Sequence, residues 1–234
     1  MASASASDLR EIPAYTVPEA AHYLGIASPT LRTWVAGQSY SYRGEKRWFR
    51  AVINPADAKT HTLSFSNLVE AYVLTSMRRK HRIGLPTIRR ALSLLTDRFG
   101  SKRPLLTEQF ATDGVDLFVE RVNEIINLGK DGQLEMAEMI RAYLERIERD
   151  AKGMPIKLYP FMRSQPPREQ PRTVVIDPRV SFGRPVIAGT GIPTAALAEQ
   201  FKAGDPVPLL AKEYGASEEA VWDAIRCELD LKAA

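Results

Sequence analysis

The sequence holds a single cysteine in 234 residues, Cys227. One thiol rules out an internal disulfide framework and predicts a reducing, cytoplasmic setting. Cys227 itself is expected to fill core on an amphipathic helix, not to sense metal or redox state. Long hydrophobic runs are missing too: nothing approaches the ~18 apolar residues of a membrane span, so no membrane partner is expected. The opening MASASASD lacks the basic-then-apolar order of a signal peptide. Residues 1–12 therefore predict a disordered tail. Catalytic groupings are equally scarce. His22, His61 and His81 stand far apart, without metal-ligand spacing. No HExxH, GxSxG or CxxC occurs. The acid pair Glu218-Glu219 falls on an expected exposed first turn, a poor place for general acid–base work. No enzyme, cofactor or metal site is expected.

What the chain does contain is a punctuated pair of short helices over Val17–Val35, VPEAAHYLGIASPTLRTWV. Pro18 suits a first helical turn, where a missing N–H costs nothing. Ala20, Ala21 and Leu24 place small or apolar groups on one face. Gly25 supplies the turn. Ser28 is expected to cap a second helix, with Pro29 at its first position. Leu31 and Trp34 or Val35 point inward, leaving Thr30, Arg32 and Thr33 outside. A short helix with polar side chains at its start is what a major groove accepts.

The next stretch, QSYSYRGEKRWFRAVIN over Gln38–Asn54, reads as a β-hairpin turning at Arg43-Gly44-Glu45. Beside a helix-turn-helix, such a hairpin is a wing. Arg32, Arg43, Lys46, Arg47 and Arg50 face a single acid in this interval, Glu45. The expected nucleic-acid set is Ser28, Thr30, Arg32, Thr33, Arg43, Lys46, Arg47 and Arg50.

Charge divides the chain further. Residues 1–104 hold 16 basic and 7 acidic groups, whereas residues 105–150 hold 5 and 11. Residues 151–172 hold 5 and 1, and residues 173–234 hold 6 and 9. A cationic front suits a polyanion and an anionic rear repels one, so two different partners are expected.

Apolar spacing predicts a helix over Phe65–Lys80, capped by Ser66, and another over Pro86–Phe99 burying Ile88, Ala91, Leu92, Leu94 and Leu95. Thr112-Asp113-Gly114 reads as a turn. Leu134–Ile147 reads as a helix whose stripe is core, or alternatively a dimer seam. Six breakers, from Gly153 to Pro171, mark residues 151–172 as a linker within which Ile156–Tyr159 could dock as an edge strand. Val174–Ile176 reads as a strand and Gly189-Thr190-Gly191 as a turn before a helix at Pro193–Ala203. Val207–Leu229 then repeats helix, Gly215 turn, Ser217 cap and helix. Its second helix begins with Glu218-Glu219 and adds Asp223 and Glu228, which suits a protein partner better than DNA. The fold class is thus mainly α with small β-hairpins. A winged helix-turn-helix spans residues 13–150, and a small helical domain like a second helix-turn-helix spans 173–234.

Two sets of residues carry a resemblance. Tyr15–Ala21, Leu31-Arg32-Thr33-Trp34 and Leu63–Tyr72 resemble the MerR-like winged helix-turn-helix that opens certain VapB-type antitoxins. Asp177-Pro178, Phe182–Ile187, Gly189–Thr194 and Val221–Ile225 resemble the small closing domain of the same antitoxins. The resemblance implies an antitoxin that neutralises a PIN-type ribonuclease and, with it, represses its own operon as a homodimer on operator DNA. On that implication Arg184, Glu218, Trp222 and Arg226 form the toxin-facing set. The long dimer helix and cysteine set of metal-sensing MerR relatives are missing. A stand-alone MerR-like regulator with a ligand- or protein-sensing tail is the alternative, and a pure protein-interaction module a third.

Overall fold

The computed structural model describes residues 8–79, 83–160 and 169–229. Lys80, His81, residues 1–7 and Pro166-Pro167 lie outside the described residues. The chain opens with α1 (Val17–Tyr23) and α2 (Ser28–Ala36), joined through Gly25, which has φ 62°. Strands β1 (Gln38–Tyr42) and β2 (Glu45–Phe49) pair antiparallel, Gln38 opposite Phe49 and Tyr42 opposite Glu45. Arg43 and Gly44 make the two-residue turn, both at positive φ, as a hairpin of right-handed twist requires. Helices α3 (Phe65–Arg79), α4 (Leu85–Phe99), α5 (Val115–Ile126) and α6 (Gly129–Leu144) follow.

These elements share one core. Tyr15, Leu31, Trp34, Phe65, Tyr72, Phe110, Phe118 and Tyr143 are fully buried in it. Each such side chain contributes roughly 1.5–3 kcal/mol of burial. The stripe expected over Leu134–Ile147 is core: Met136, Ile140, Tyr143, Leu144 and Ile147 are buried.

Local punctuation departs from expectation at several points. Ala27, not Ser28, is the N-cap of α2, so Ser28 already lies in the first turn with Pro29. Likewise Ser64, not Ser66, caps α3: Asn67 N–H donates to Ser64 Oγ at 3.3 Å, and Ser64 N–H donates to Asn67 Oδ1 at 3.2 Å. Leu94 is exposed, since it lies about 100° round α4 from the centre of the buried stripe. Thr112–Gly114 is no turn but part of a wide helical turn, Phe110–Gly114, leading into α5. Gly114 serves there by leaving room. A Cβ would stand 2.8 Å from the Phe110 ring and 3.0 Å from that of Phe99.

Residues expected in the tail and linker are also partly built in. Leu9–Glu11 forms a 3-10 turn, and Arg10 bridges Asp8 (2.7 Å) and Asp150 (2.8 Å). Strand β3 (Ile147–Arg149) pairs with β4 (Pro155–Leu158), the edge strand foreseen inside the linker. Buried Arg146 fastens both ends of the proline-rich segment. It donates to the carbonyls of Tyr159 (2.9 Å), Gln170 (2.7 Å) and Pro171 (2.8 Å). Composition flagged Pro160 and Pro171 as breakers, but gave no sign that the Arg146 fork would reach their carbonyls.

Beyond it, β5 (Val174–Val175) pairs with β6 (Val186–Ile187), and α7 (Thr194–Ala203), α8 (Val207–Tyr214) and α9 (Glu218–Glu228) pack around a second, smaller core. Ser217 caps α9 as expected, accepting from Ala220 N–H. Val174, Ile176 and Cys227 belong to the first core, however, so the two share a wall. Burial pushes the Cys227 thiol far up, which leaves it inert.

Candidate nucleic-acid interface

Helix α2 exposes the side the sequence indicated. Leu31, Trp34 and Val35 are buried, Arg32 is exposed, and Ser28, Thr30 and Thr33 are half-buried. Thr33 is the least available of these. Its hydroxyl donates to the carbonyl of Pro29 at 3.0 Å and lies 3.2 Å from Gln38 Oε1. The end of α2 carries the hairpin: Val52 and Ile53 N–H both donate to the Trp34 carbonyl, at 2.8 and 3.0 Å. Wing and helix are thereby held as one unit. Arg43, Lys46 and Arg50 are exposed along that wing. Arg47 lies on β2, with its side chain outside the described set.

Tertiary packing brings two arginines of α3 and α4 to this region. The Arg89 guanidinium stacks 4.5 Å from the Phe49 ring centroid and donates to the Ala51 carbonyl at 3.2 Å. Burial, then the like charge of Arg50, holds its pKa below the usual arginine value. Arg78 reaches the back of α2, 5.7 Å from the Trp34 ring centroid. The apolar-stripe argument placed Arg78 at a helix end, and only tertiary packing brings it to Trp34.

The rear surface divides the four residues expected there. Glu218, Trp222 and Arg226 recur every fourth residue and share one face of α9. Trp222 stands edge-on to Phe201 at 5.5 Å, and Arg226 lies 5.8 Å over the Trp222 ring while donating to buried Asp223 at 2.8 Å. Arg184 is drawn elsewhere. It donates to Glu19 of α1 at 2.7 Å, on the seam between front and rear. Burial pushes Glu19 upward, but the Thr16 and Arg184 donors outweigh it and hold the carboxyl below its ordinary value. On the same seam the buried Tyr15 hydroxyl donates to the Gly183 carbonyl at 2.8 Å. Sequence reasoning placed Phe182 in the resemblance but gave it no role, and it is 95% exposed at φ 54°. No spacing rule separates such a residue from a buried neighbour.

Among the described residues no group of three or more His, Cys, Asp or Glu side chains stands together to hold a metal ion. No helix among them is long and apolar enough to cross a membrane.

Helix pair, hairpin and flanking helices define a winged helix-turn-helix protein with a second, helix-turn-helix-like domain at its end. Residues 13–92 match a family model described as "Putative DNA-binding HTH domain", and residues 174–226 match "Protein of unknown function (DUF433)". The chain is 28% identical over 235 residues to the Mycobacterium tuberculosis protein described as "Putative antitoxin VapB45", covering 92% of this chain and 93% of that one. The crystal structure of Rv2018 from Mycobacterium tuberculosis shares the fold, with a TM-score of 0.66 at 24% identity over 92% of this chain and 98% of that one. The resemblance to VapB-type antitoxins therefore extends over nearly the whole chain.

Proposed function

We propose that this chain is the antitoxin of a type II toxin–antitoxin pair. It binds operator DNA through α2 and the hairpin, and neutralises a PIN-type ribonuclease through its rear domain. Together with that ribonuclease it represses its own operon. It acts as a non-enzymatic cytoplasmic regulator and as a homodimer, on half-sites about one helical turn apart. A single observation carries the reading. One chain joins an acid-free recognition helix and a basic wing to a second domain whose equivalent helix opens on Glu218-Glu219. Similarity to an antitoxin over nearly the whole chain supports it.

Arg32 suits a base edge or phosphate, Thr30 and Ser28 suit backbone contacts, and Arg43, Lys46, Arg47 and Arg50 suit the flanking phosphates. The face formed by Glu218, Trp222 and Arg226 is the toxin-facing candidate, and Arg184 supports it from the seam.

Co-expression with the genomic neighbour tests the pair. A purified complex in which the neighbour's ribonuclease activity is silenced is the expected result. Operator binding without any such complex would leave a stand-alone regulator. Arg32→Ala with Arg50→Ala is expected to weaken operator binding and spare the complex, and equal loss of both would sink the two-partner division.

A further inference from the structure

A cavity of about 430 Å³ opens between α2, the base of the hairpin, Arg78 near the end of α3 and the start of α4. Its volume falls in the range of small-molecule sites, about 300–1,000 Å³. The walls are of two kinds. Trp34, Phe49, Leu85 and Pro86 supply apolar and aromatic surface. Thr30, Gln38 and Arg78 supply the polar groups, and no carboxylate lines the cavity among the described residues. Arg78 is half-buried and stacks over Trp34. Burial alone lowers its pKa, with no acid contributing against it. Among the described residues the buried indole N–H of Trp34 also has no hydrogen-bond partner, so its NMR signal reports directly on changes around the ring. A cation beside flat apolar walls asks for one kind of guest.

We infer that this cavity binds a small amphipathic anion, a flat apolar body bearing a carboxylate, with Arg78 as its counter-ion. A backbone phosphate would meet the charge but leave the apolar walls bare. Thr30 and Thr33 line the cavity and also belong to the outer side of α2. An occupied cavity therefore competes with a duplex for the same helix. The competition rests on the DNA-binding reading of α2, whereas the site itself does not.

The test uses the full chain and 2-naphthoate, followed by the indole N–H signals in NMR. The three tryptophans are Trp34, Trp48 and Trp222, so two signals serve as internal controls for folding and non-specific contact. Saturable movement of the Trp34 signal is expected. Arg78→Gln should weaken it roughly ten- to a hundredfold, with the Trp222 signal unmoved, and the neutral 2-naphthalenemethanol should bind more weakly by a similar factor. Inorganic phosphate should not saturate the site. The proposal is overturned if naphthoate gives no saturable Trp34 shift, if Arg78→Gln binds it equally well, or if phosphate binds as tightly as naphthoate. Operator binding is then measured with and without saturating naphthoate. A weakened operator complex supports both site and competition. Naphthoate binding with unchanged operator affinity keeps the site and counts against the DNA-facing reading of α2.

Discussion

The molecule contains two helix pairs of the same outline, α1–α2 at the front and α8–α9 at the rear, and they have been put to opposite electrostatic use. Both turn on a glycine at positive φ, Gly25 and Gly215. Both bury a tryptophan-bearing helix against a core, but Trp34 is sealed while Trp222 remains 36% exposed. The first turn of α2 has no acid, whereas that of α9 has Glu218 and Glu219. A helix N-terminus favours negative charge, so α9 is locally the better-designed helix. The front helix forgoes that stabilisation, as the proposed contact with phosphates would require. The same backbone motif therefore carries different charge on its outer turn at the two ends of the chain.

The strongest way to break the comparison is to give the front helix the rear's opening. Thr30→Glu with Thr33→Glu should reduce operator affinity at least a hundredfold in a gel-shift or anisotropy titration, because like charges opposed across an interface cost several kcal/mol. The capture of the neighbouring nuclease should survive. Operator affinity unchanged by two new acids would mean that α2 is not the reading helix.

Next in size is the seam that makes the two regions one body. Gly183 has φ 78°, and a Cβ there would stand 2.4 Å from the Tyr15 hydroxyl oxygen. Tyr15 is fully buried and cannot swing aside. Gly183→Ala should cost about 3 kcal/mol, seen as a lower urea midpoint or a split transition. A single transition at the wild-type midpoint would show that front and rear do not depend on this contact.

The rear surface is sharpened by Trp222→Ala. Loss of about 2 kcal/mol in affinity for the nuclease is expected if Trp222 anchors that contact, with operator binding by the isolated chain unmoved. Calorimetry of the complex decides it.

The smallest effect concerns Glu19 and Arg184. The Glu19 carboxyl is held below its ordinary value of 4.5, so its contribution is complete above pH 4.5 and is lost as pH falls through the lowered folded value. Both side chains are more than a third exposed, which limits the contribution to roughly 0.2–1 kcal/mol. Glu19→Gln should flatten the acid limb of the stability profile by that amount. An unchanged acid limb would assign the seam to Tyr15 and Gly183 alone.

The shared wall also bears on how the two regions can be separated. A fragment ending near Arg172 would keep α2 and the hairpin, but would strip Val174, Ile176 and Cys227 from the first core. Loss of operator binding by such a fragment would report unfolding as readily as function. Point substitutions on each surface keep both cores intact and are the cleaner comparison.

Much of this was legible in residue order. The α1 and α2 positions, the hairpin, the Ser217 cap and the sign of charge on each helix follow from turn chemistry and apolar period, which act over a few residues. The cap positions of α2 and α3 slipped by one or two residues because backbone geometry, not residue type, sets the boundary: Ala27 takes the place beside Ser28, and Ser64 the place two before Ser66. Phe110–Gly114 was misjudged because Gly114 answers to the Phe99 and Phe110 rings, and one of these lies fifteen positions away.

The sequence by itself determined the local elements and which of them carry positive or negative faces, because propensity, capping and charge are properties of adjacent residues. Tertiary structure alone decided that Arg78 packs over Trp34 of α2, that Arg184 serves the seam beside Glu19, and that Arg146 joins the carbonyls of Tyr159 and Gln170. Those contacts join residues tens to more than a hundred positions apart. No periodicity encodes them, since they exist only once the cores have packed.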